Sequence, residues 1–287
     1  MTSLSDVPAP AKLNLFLHIT GRRTDGYHLL QSVFMLIDWC DTLNFETRPH
    51  GNLSREDLTT PLPDDDLVLK AARALQTATG SALGAHISIA KSIPAQAGMG
   101  GGSSDAATTL LALNRLWKLN LSKQQLAEIG LKLGADVPFF IHGSNAWVER
   151  IGDQITPIDV PKAHFLVVKP ESGLSTQAIF SDPALKRDSQ NAIISGFAAN
   201  PFGFGRNDLQ AVAQKLSPDV NTALNWLGKQ GSGQGLQPRM TGSGSAVFAY
   251  VSEDEASRFV EFQDVPKGAI VKLCSNLAEH PLKSWAN

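Results

Sequence analysis

Residues 94–105 read Pro-Ala-Gln-Ala-Gly-Met-Gly-Gly-Gly-Ser-Ser-Asp, and four of the five positions from Gly98 to Gly102 lack a side chain. Such a stretch builds no core of its own, and its backbone bends where a Cβ would forbid it. Before it, residues 85–90 carry Ile87 and Ile89 on one side, the alternation of a strand. After it, residues 103–117 place Ala107, Leu110, Leu111 and Leu113 at helical spacing. A bare loop between a strand and a helix turns amide N–H groups toward an anion at the positive end of the helix dipole. The glycines and two hydroxyls give more donors and less bulk than a tight turn requires, which favours a phosphate site over a plain turn. A Walker loop is excluded, because Ser103 stands where its lysine would follow Gly102. A dinucleotide loop is disfavoured, since no acidic residue lies between Ala106 and Ala127.

Strands are predicted over 12–20, 32–37, 41–45, 146–151, 164–169, 246–251 and 269–273. In the first, Leu13, Leu15, Leu17 and Ile19 alternate with Asn14, Phe16 and His18, one face turned to a core. Helices are predicted over 66–79, with Leu67, Ala71, Ala74, Leu75 and Ala78 as the apolar stripe, and over 122–133, where Ser122 and Gln125 form a capping-box pattern. A short helix from Ser175 and helices over 208–216, 219–229 and 253–262 follow. Residues 48–63 and 196–205 read as connections. Strands alternate with helices in both halves, so the fold class is α+β in two layers, with a boundary near residue 160 at the Pro157 and Pro161 connector.

Twenty-five basic against 27 acidic residues give a net charge of −2, without the basic footprint of a nucleic-acid or lipid-surface protein. An anionic ligand must therefore be held locally. Cys40 and Cys274, far apart and outside any CxxC, supply neither a disulfide framework nor a zinc site. With neither a leader pattern nor an apolar run long enough for a membrane span, the expected location is cytoplasmic.

Pro94, Ala95, Gln96, Ala97, Gly98, Met99, Gly100, Gly101, Gly102, Ser103 and Ser104 together resemble the phosphate loop of the GHMP kinases, a superfamily of small-molecule kinases. Segments 10–15 (Pro-Ala-Lys-Leu-Asn-Leu), 23–28 (Arg-Thr-Asp-Gly-Tyr-His), 134–140 (Gly-Ala-Asp-Val-Pro-Phe-Phe) and 240–245 (Met-Thr-Gly-Ser-Gly-Ser) extend the resemblance in the family's order over nearly the whole chain. It implies a ribosomal protein S5 domain 2-like N-terminal domain over 1–160 and a ferredoxin-like C-terminal domain over 161–287, with ATP and an alcohol substrate meeting between them. The branch it points to phosphorylates the 2-hydroxyl of 4-diphosphocytidyl-2-C-methyl-D-erythritol in isoprenoid precursor synthesis. A monomer or weak homodimer without nucleic-acid or membrane partners is expected.

Asp136, read from its residues alone, is a helix cap, an ion-pair partner or a base; Lys12 is a strand-end lysine or a fixed charge. The resemblance makes Asp136 the general base and Lys12 its partner. Asn14 shares a strand face with Lys12. Tyr27 is one of two tyrosines in the chain, and with His28 it implies a cytosine pocket in which Phe180 sandwiches the base opposite Tyr27. Thr176, Gly242 and Ser243 are implied substrate contacts, and Lys91 joins the ATP site. One departure is Asp66, where relatives often carry asparagine beside adenine. Magnesium is expected with ATP, its ligands unassigned. The rival readings are another GHMP kinase and a non-catalytic nucleotide-binding module.

Overall fold

The computed structural model describes residues 2–230, 236–257 and 262–287. The chain opens with β1 (Ser3–Arg22) and β2 (His28–Arg48), a long antiparallel hairpin closed by Arg23 N–H donating to the Tyr27 carbonyl at 2.7 Å. The two strands predicted over 32–37 and 41–45 are thus one. β3 (Leu53–Asp57) lies inside the predicted connection and pairs parallel with β4 (Gly84–Ala90), reached through α1 (Leu67–Thr79). Next come α2 (Gly101–Leu116), α3 (Lys123–Leu131), α4 (Val137–His142), β5 (Ala146–Arg150) and β6 (Gln154–Pro157). These strands make one six-stranded sheet in the order β3-β4-β2-β5-β6, with β1 on β2.

The second half holds β7 (His164–Lys169), α5 (Thr176–Ser181), α6 (Ile194–Ala199), α7 (Gln210–Leu216), α8 (Pro218–Gly228), β8 (Arg239–Met240), β9 (Val247–Val251), α9 (Glu253–Ala256) and β10 (Ile270–Ser275). Its antiparallel sheet runs β10-β7-β9-β8. α6 overlaps the start of the predicted 196–205 connection. Of the helix predicted over 253–262, α9 covers Glu253–Ala256; Ser257 and Phe262 are not helical, and residues 258–261 lie outside the described part of the chain.

Alternation along the strands sorts the core into layers. Helices α1 to α4 cover one face of the first sheet, with Leu43, Phe45, Ile87 and Ile89 below Val68, Leu75, Leu110 and Phe139. Its other face meets the second sheet, where Leu13, Leu15, Val33 and Trp147 pack with Phe165, Val167 and Phe248. Leu166, Val168, Val247 and Ala249 point the opposite way, onto α7 and α8. The second sheet thus seals the far side of β1, and Asn14 and Phe16 are buried along with the leucines. A register shift between Asn14 and Leu17 brings Phe16 into the same core as Leu13 and Leu15. The one-faced strand read from sequence is corrected accordingly. In α1 the buried stripe is Val68, Ala71, Ala72 and Leu75, one step from the predicted one; Ala78 faces out.

Residues beyond β10 return to the first half. Leu277 N–H donates to the Leu36 carbonyl at 2.9 Å, and Lys123 N–H donates to the Asn287 carbonyl at 2.8 Å. Leu282 and Ala286 join the core under α2 and α3. Among the described residues no helix is long and apolar enough to cross a membrane.

Candidate active site

The glycine loop performs the turn its composition anticipates. Gly100 caps α2 at φ +72°, so the helix begins at Gly101, two residues before the predicted start. The first helical bond is Ser104 N–H to the Gly100 carbonyl at 2.9 Å, which leaves the Gly101, Gly102 and Ser103 amides without a partner inside the helix. Gly98, also at φ +72°, presses on the second half so closely that a Cβ there would overlap the Thr241 carbonyl. The loop rims a cleft of about 400 Å³ completed by Leu62, Asp66, Leu67, Lys91, Ile93 and Asp105. Asp66 caps α1 through the Val68 and Leu69 amides and pairs with Arg55 at 2.6 Å. Both of its oxygens are thereby engaged by the helix end and by Arg55.

Lys91 reaches this cleft with its ammonium already engaged. It pairs with Asp41, fully buried on β2, and with Asp105, 2.6 Å away on α2. Asp41 also accepts from the Ser92 and Ile93 amides at 2.6 and 2.8 Å, fixing the approach to the loop. Burial pushes the Asp105 carboxyl up to about 7; the Lys91 ammonium opposes the shift and Asp41 adds to it. Burial also works against the Lys91 charge, but the two carboxylates outweigh it and raise the lysine. Neither carboxylate was singled out in the sequence. Asp41 opens the predicted 41–45 strand, and Asp105 lies in the predicted 103–117 helix, where a single acidic residue gives no signal.

A second cleft of about 570 Å³ lies on the other side of the loop, and Gln96, Gly98 and Gly100 line both. Its floor holds Lys12, Asn14 and Asp136. Asp136 sits at the N-cap position of α4 but makes no capping bond, so its carboxylate is not spent on helix amides. Lys12 Nζ stands 3.5 Å from Asp136 Oδ2, with side-chain exposures of 4% and 30%. The ammonium also donates to Asn14 Oδ1 at 2.5 Å and lies 4.4 Å over the Phe34 ring. The sequence alternatives for both residues thus resolve toward a lysine–carboxylate pair in a cleft.

The wall of this cleft comes from the second half. Thr176 Oγ1 and Ser243 Oγ lie 2.7 Å apart, tying α5 to the loop at Gly242, Ser243 and Gly244. Asn207 Nδ2 donates to the Met240 and Gly242 carbonyls at 2.8 Å each, so Asn207 shapes this loop in addition to its local turn. Phe180 lines the cleft. The ring beside it is that of His28, at 5.0 Å between centroids, while Tyr27 is 63% exposed; neither Tyr27 nor His28 lines the cleft itself. Arg187 donates to His28 Nε2 at 3.0 Å and to the Phe180 carbonyl at 3.2 Å. Burial, then the Arg187 and Arg22 charges, lower the His28 pKa, so the ring is neutral and accepts from Arg187. Sequence reasoning passed over Arg187, because a lone arginine in an irregular stretch gives no signal.

Family models for the GHMP kinases N terminal domain and the GHMP kinases C terminal match residues 66–144 and 188–262. A protein of Albidiferax ferrireducens named 4-diphosphocytidyl-2-C-methyl-D-erythritol kinase is 66% identical, with 100% of this chain and 96% of the relative covered. One of Acidovorax sp. with the same name is 63% identical, and 99% of each chain is covered. A crystal structure of 4-(cytidine 5'-diphospho)-2C-methyl-D-erythritol kinase superposes with a TM-score of 0.78 at 29% identity, over 94% of this chain and 98% of that one.

Proposed function

The chain belongs to the GHMP kinases, and from that membership and its full-length likeness to 4-diphosphocytidyl-2-C-methyl-D-erythritol kinases we propose how its residues divide the work. It is an ATP-dependent small-molecule kinase that transfers a phosphoryl group to the 2-hydroxyl of 4-diphosphocytidyl-2-C-methyl-D-erythritol, a step toward isoprenoid precursors. ATP takes the first cleft, its phosphates against the free amides of Gly101, Gly102 and Ser103 at the start of α2. The alcohol takes the second cleft, its diphosphate along Gly242 and Ser243 and its cytosine at the Tyr27, His28 and Phe180 end.

Asp136 accepts the proton of the attacking hydroxyl, and the Lys12 ammonium stabilises the negative charge that grows between the reacting oxygens. The observation that carries this reading is the Lys12–Asp136 pair at 3.5 Å in a cleft that shares Gln96, Gly98 and Gly100 with the phosphate cleft. In-line transfer needs the acceptor hydroxyl and the leaving oxygen on opposite sides of the γ-phosphorus, which two clefts meeting at one loop can supply.

ATP enters as its magnesium complex, in which the ion neutralises phosphate charge. Among the described residues no three His, Cys, Asp or Glu side chains could hold a metal. Buried Ser104 Oγ and Asp105 Oδ1, at the start of α2, lack hydrogen-bond partners and suit an ion carried mainly by phosphate oxygens. A domain boundary near residue 160 is supported by the first sheet's last strand ending at Pro157 and the second sheet's first strand starting at His164. Two free cysteines support a reducing, cytoplasmic setting, and a monomer or weak homodimer completes the reading.

Asp136→Asn tests it. The expected result is a kcat lower by about 10² to 10⁴ with both ligands still bound, measured by ADP release and calorimetry. An unchanged kcat in the folded variant removes Asp136 from the chemistry.

A further inference from the structure

Ser32 lies on β2 with no solvent exposure, outside the clefts, and its hydroxyl makes two contacts. Ser32 Oγ is 2.5 Å from the Phe16 carbonyl and 2.9 Å from Asn14 Nδ2. Proton bookkeeping leaves one arrangement. The Lys12 ammonium only donates, so the amide oxygen of Asn14 must face it, as the 2.5 Å contact requires. The amide nitrogen of Asn14 then faces Ser32 and needs an acceptor. The carbonyl of Phe16 accepts the only proton Ser32 has, so the hydroxyl is bound to accept from Asn14. The Asn14 backbone N–H meanwhile donates to Thr241 Oγ1 at 2.9 Å, which pins the residue; the same hydroxyl makes only a long 3.4 Å contact to Asn14 Oδ1, against 2.9 Å from Asn14 Nδ2 to Ser32.

We infer that Ser32 is a positioning residue of the transfer reaction: by setting the sense of the Asn14 amide it holds the Lys12 ammonium on a neutral acceptor, 3.5 Å from Asp136. With the amide reversed, two donors would face each other, and the lysine would swing from its place between the reacting groups. Neither Ser32 nor Asn14 lines the nucleotide cleft, so the effect should fall on turnover and spare ATP binding.

The inference rests on Lys12 and Asp136 being the reacting pair. Ser32→Ala should lower kcat about 10- to 100-fold, the scale of a sub-ångström to ångström misplacement, with KM for ATP within twofold. Ser32→Thr, which keeps the hydroxyl, should hold kcat within a few-fold of the parent. In an Asn14→Ala background, Ser32→Ala should cost nothing further, because the amide it orients is gone. Should Ser32→Ala not fold, Ser32→Cys, whose thiol is only a weak donor and acceptor, should show the same loss of kcat. Unchanged kcat in Ser32→Ala or Ser32→Cys, losses that multiply in the double variant, or a threonine variant as impaired as the alanine one would overturn the inference. If Asp136→Asn keeps its kcat, the underlying reading falls first. If Asp136→Asn is inactive while Ser32→Ala is normal, the role of Ser32 alone is withdrawn.

Discussion

Lys12 and Lys91 are both drawn out of solvent to line a cleft, yet they keep different company. Lys91 is flanked by the carboxylates of Asp41 and Asp105, whereas Lys12 rests on an amide with its one carboxylate 3.5 Å away. An ammonium shared between two carboxyl groups, one of them fully buried, has its charge matched within the wall, and its stem becomes part of that wall. One held by a neutral acceptor keeps its charge for whatever enters beside it. The resemblance assigns Lys91 to ATP. In the structure its ammonium joins β2 to α2, and any contact with phosphate would compete with two buried carboxylates.

Replacing the two lysines in turn tests that contrast most severely. Lys12→Met should lower kcat by about 10² to 10³, the usual cost of losing a transition-state charge partner, with a melting temperature close to the parent's. Lys91→Met should do the reverse, lowering the melting temperature while kcat at saturating ATP changes only a few-fold. Matching kinetic defects in both variants would erase the distinction. A smaller effect is expected from Asp41→Asn, which keeps the shape but weakens charge-assisted bonds to Lys91, Ser92 and Ile93. It should cost about 1.5–3 kcal/mol in denaturant unfolding and raise KM for ATP more than KM for the alcohol.

A last effect on unfolding should come from Asp105→Asn, and it lies in pH dependence. Because burial raises the Asp105 carboxyl to about 7 in the folded chain, the folded state holds that proton more tightly than the unfolded one. This contribution is complete below about 4 and is lost as pH rises to about 7. Parent and variant melting curves should therefore converge or cross over that interval, the variant gaining relative to the parent, with a constant difference above it. A pH-independent difference across the interval would show that Asp105 stays ionised.

Where function required bare backbone or unusual clustering, it could be read directly from the sequence. The 98–102 loop, the Gly242 and Gly244 pair and the Ser122 cap announce themselves, because few other conformations tolerate those residues in that order. Polar residues inside apolar strands gave no such sign. Ser32 and Asp41 look like the solvent-facing half of an alternating strand, and only the second sheet, packed across β1 and β2, reveals that both faces are dry. The missed β3, Leu-Ser-Arg-Glu-Asp, is polar because it is an edge strand, and Arg55 on it is held by Asp57 and Asp66. Tyr27 was legible as an oddity of composition, but the seating of its neighbour His28 against Phe180 depends on Arg187, more than 150 residues away in the chain.

The return of residues 277–287 to the first half bears on the order in which the protein can be made. Domains generally fold as they leave the ribosome, N-terminal part first. Here the layer under α2 and α3 lacks Leu282 and Ala286 until the whole second half has been synthesised, so the early half emerges with apolar surface uncovered. Nascent chains stalled after residue 160 should therefore be caught by chaperones and cut readily by protease, and resistance should arrive only with the final segment.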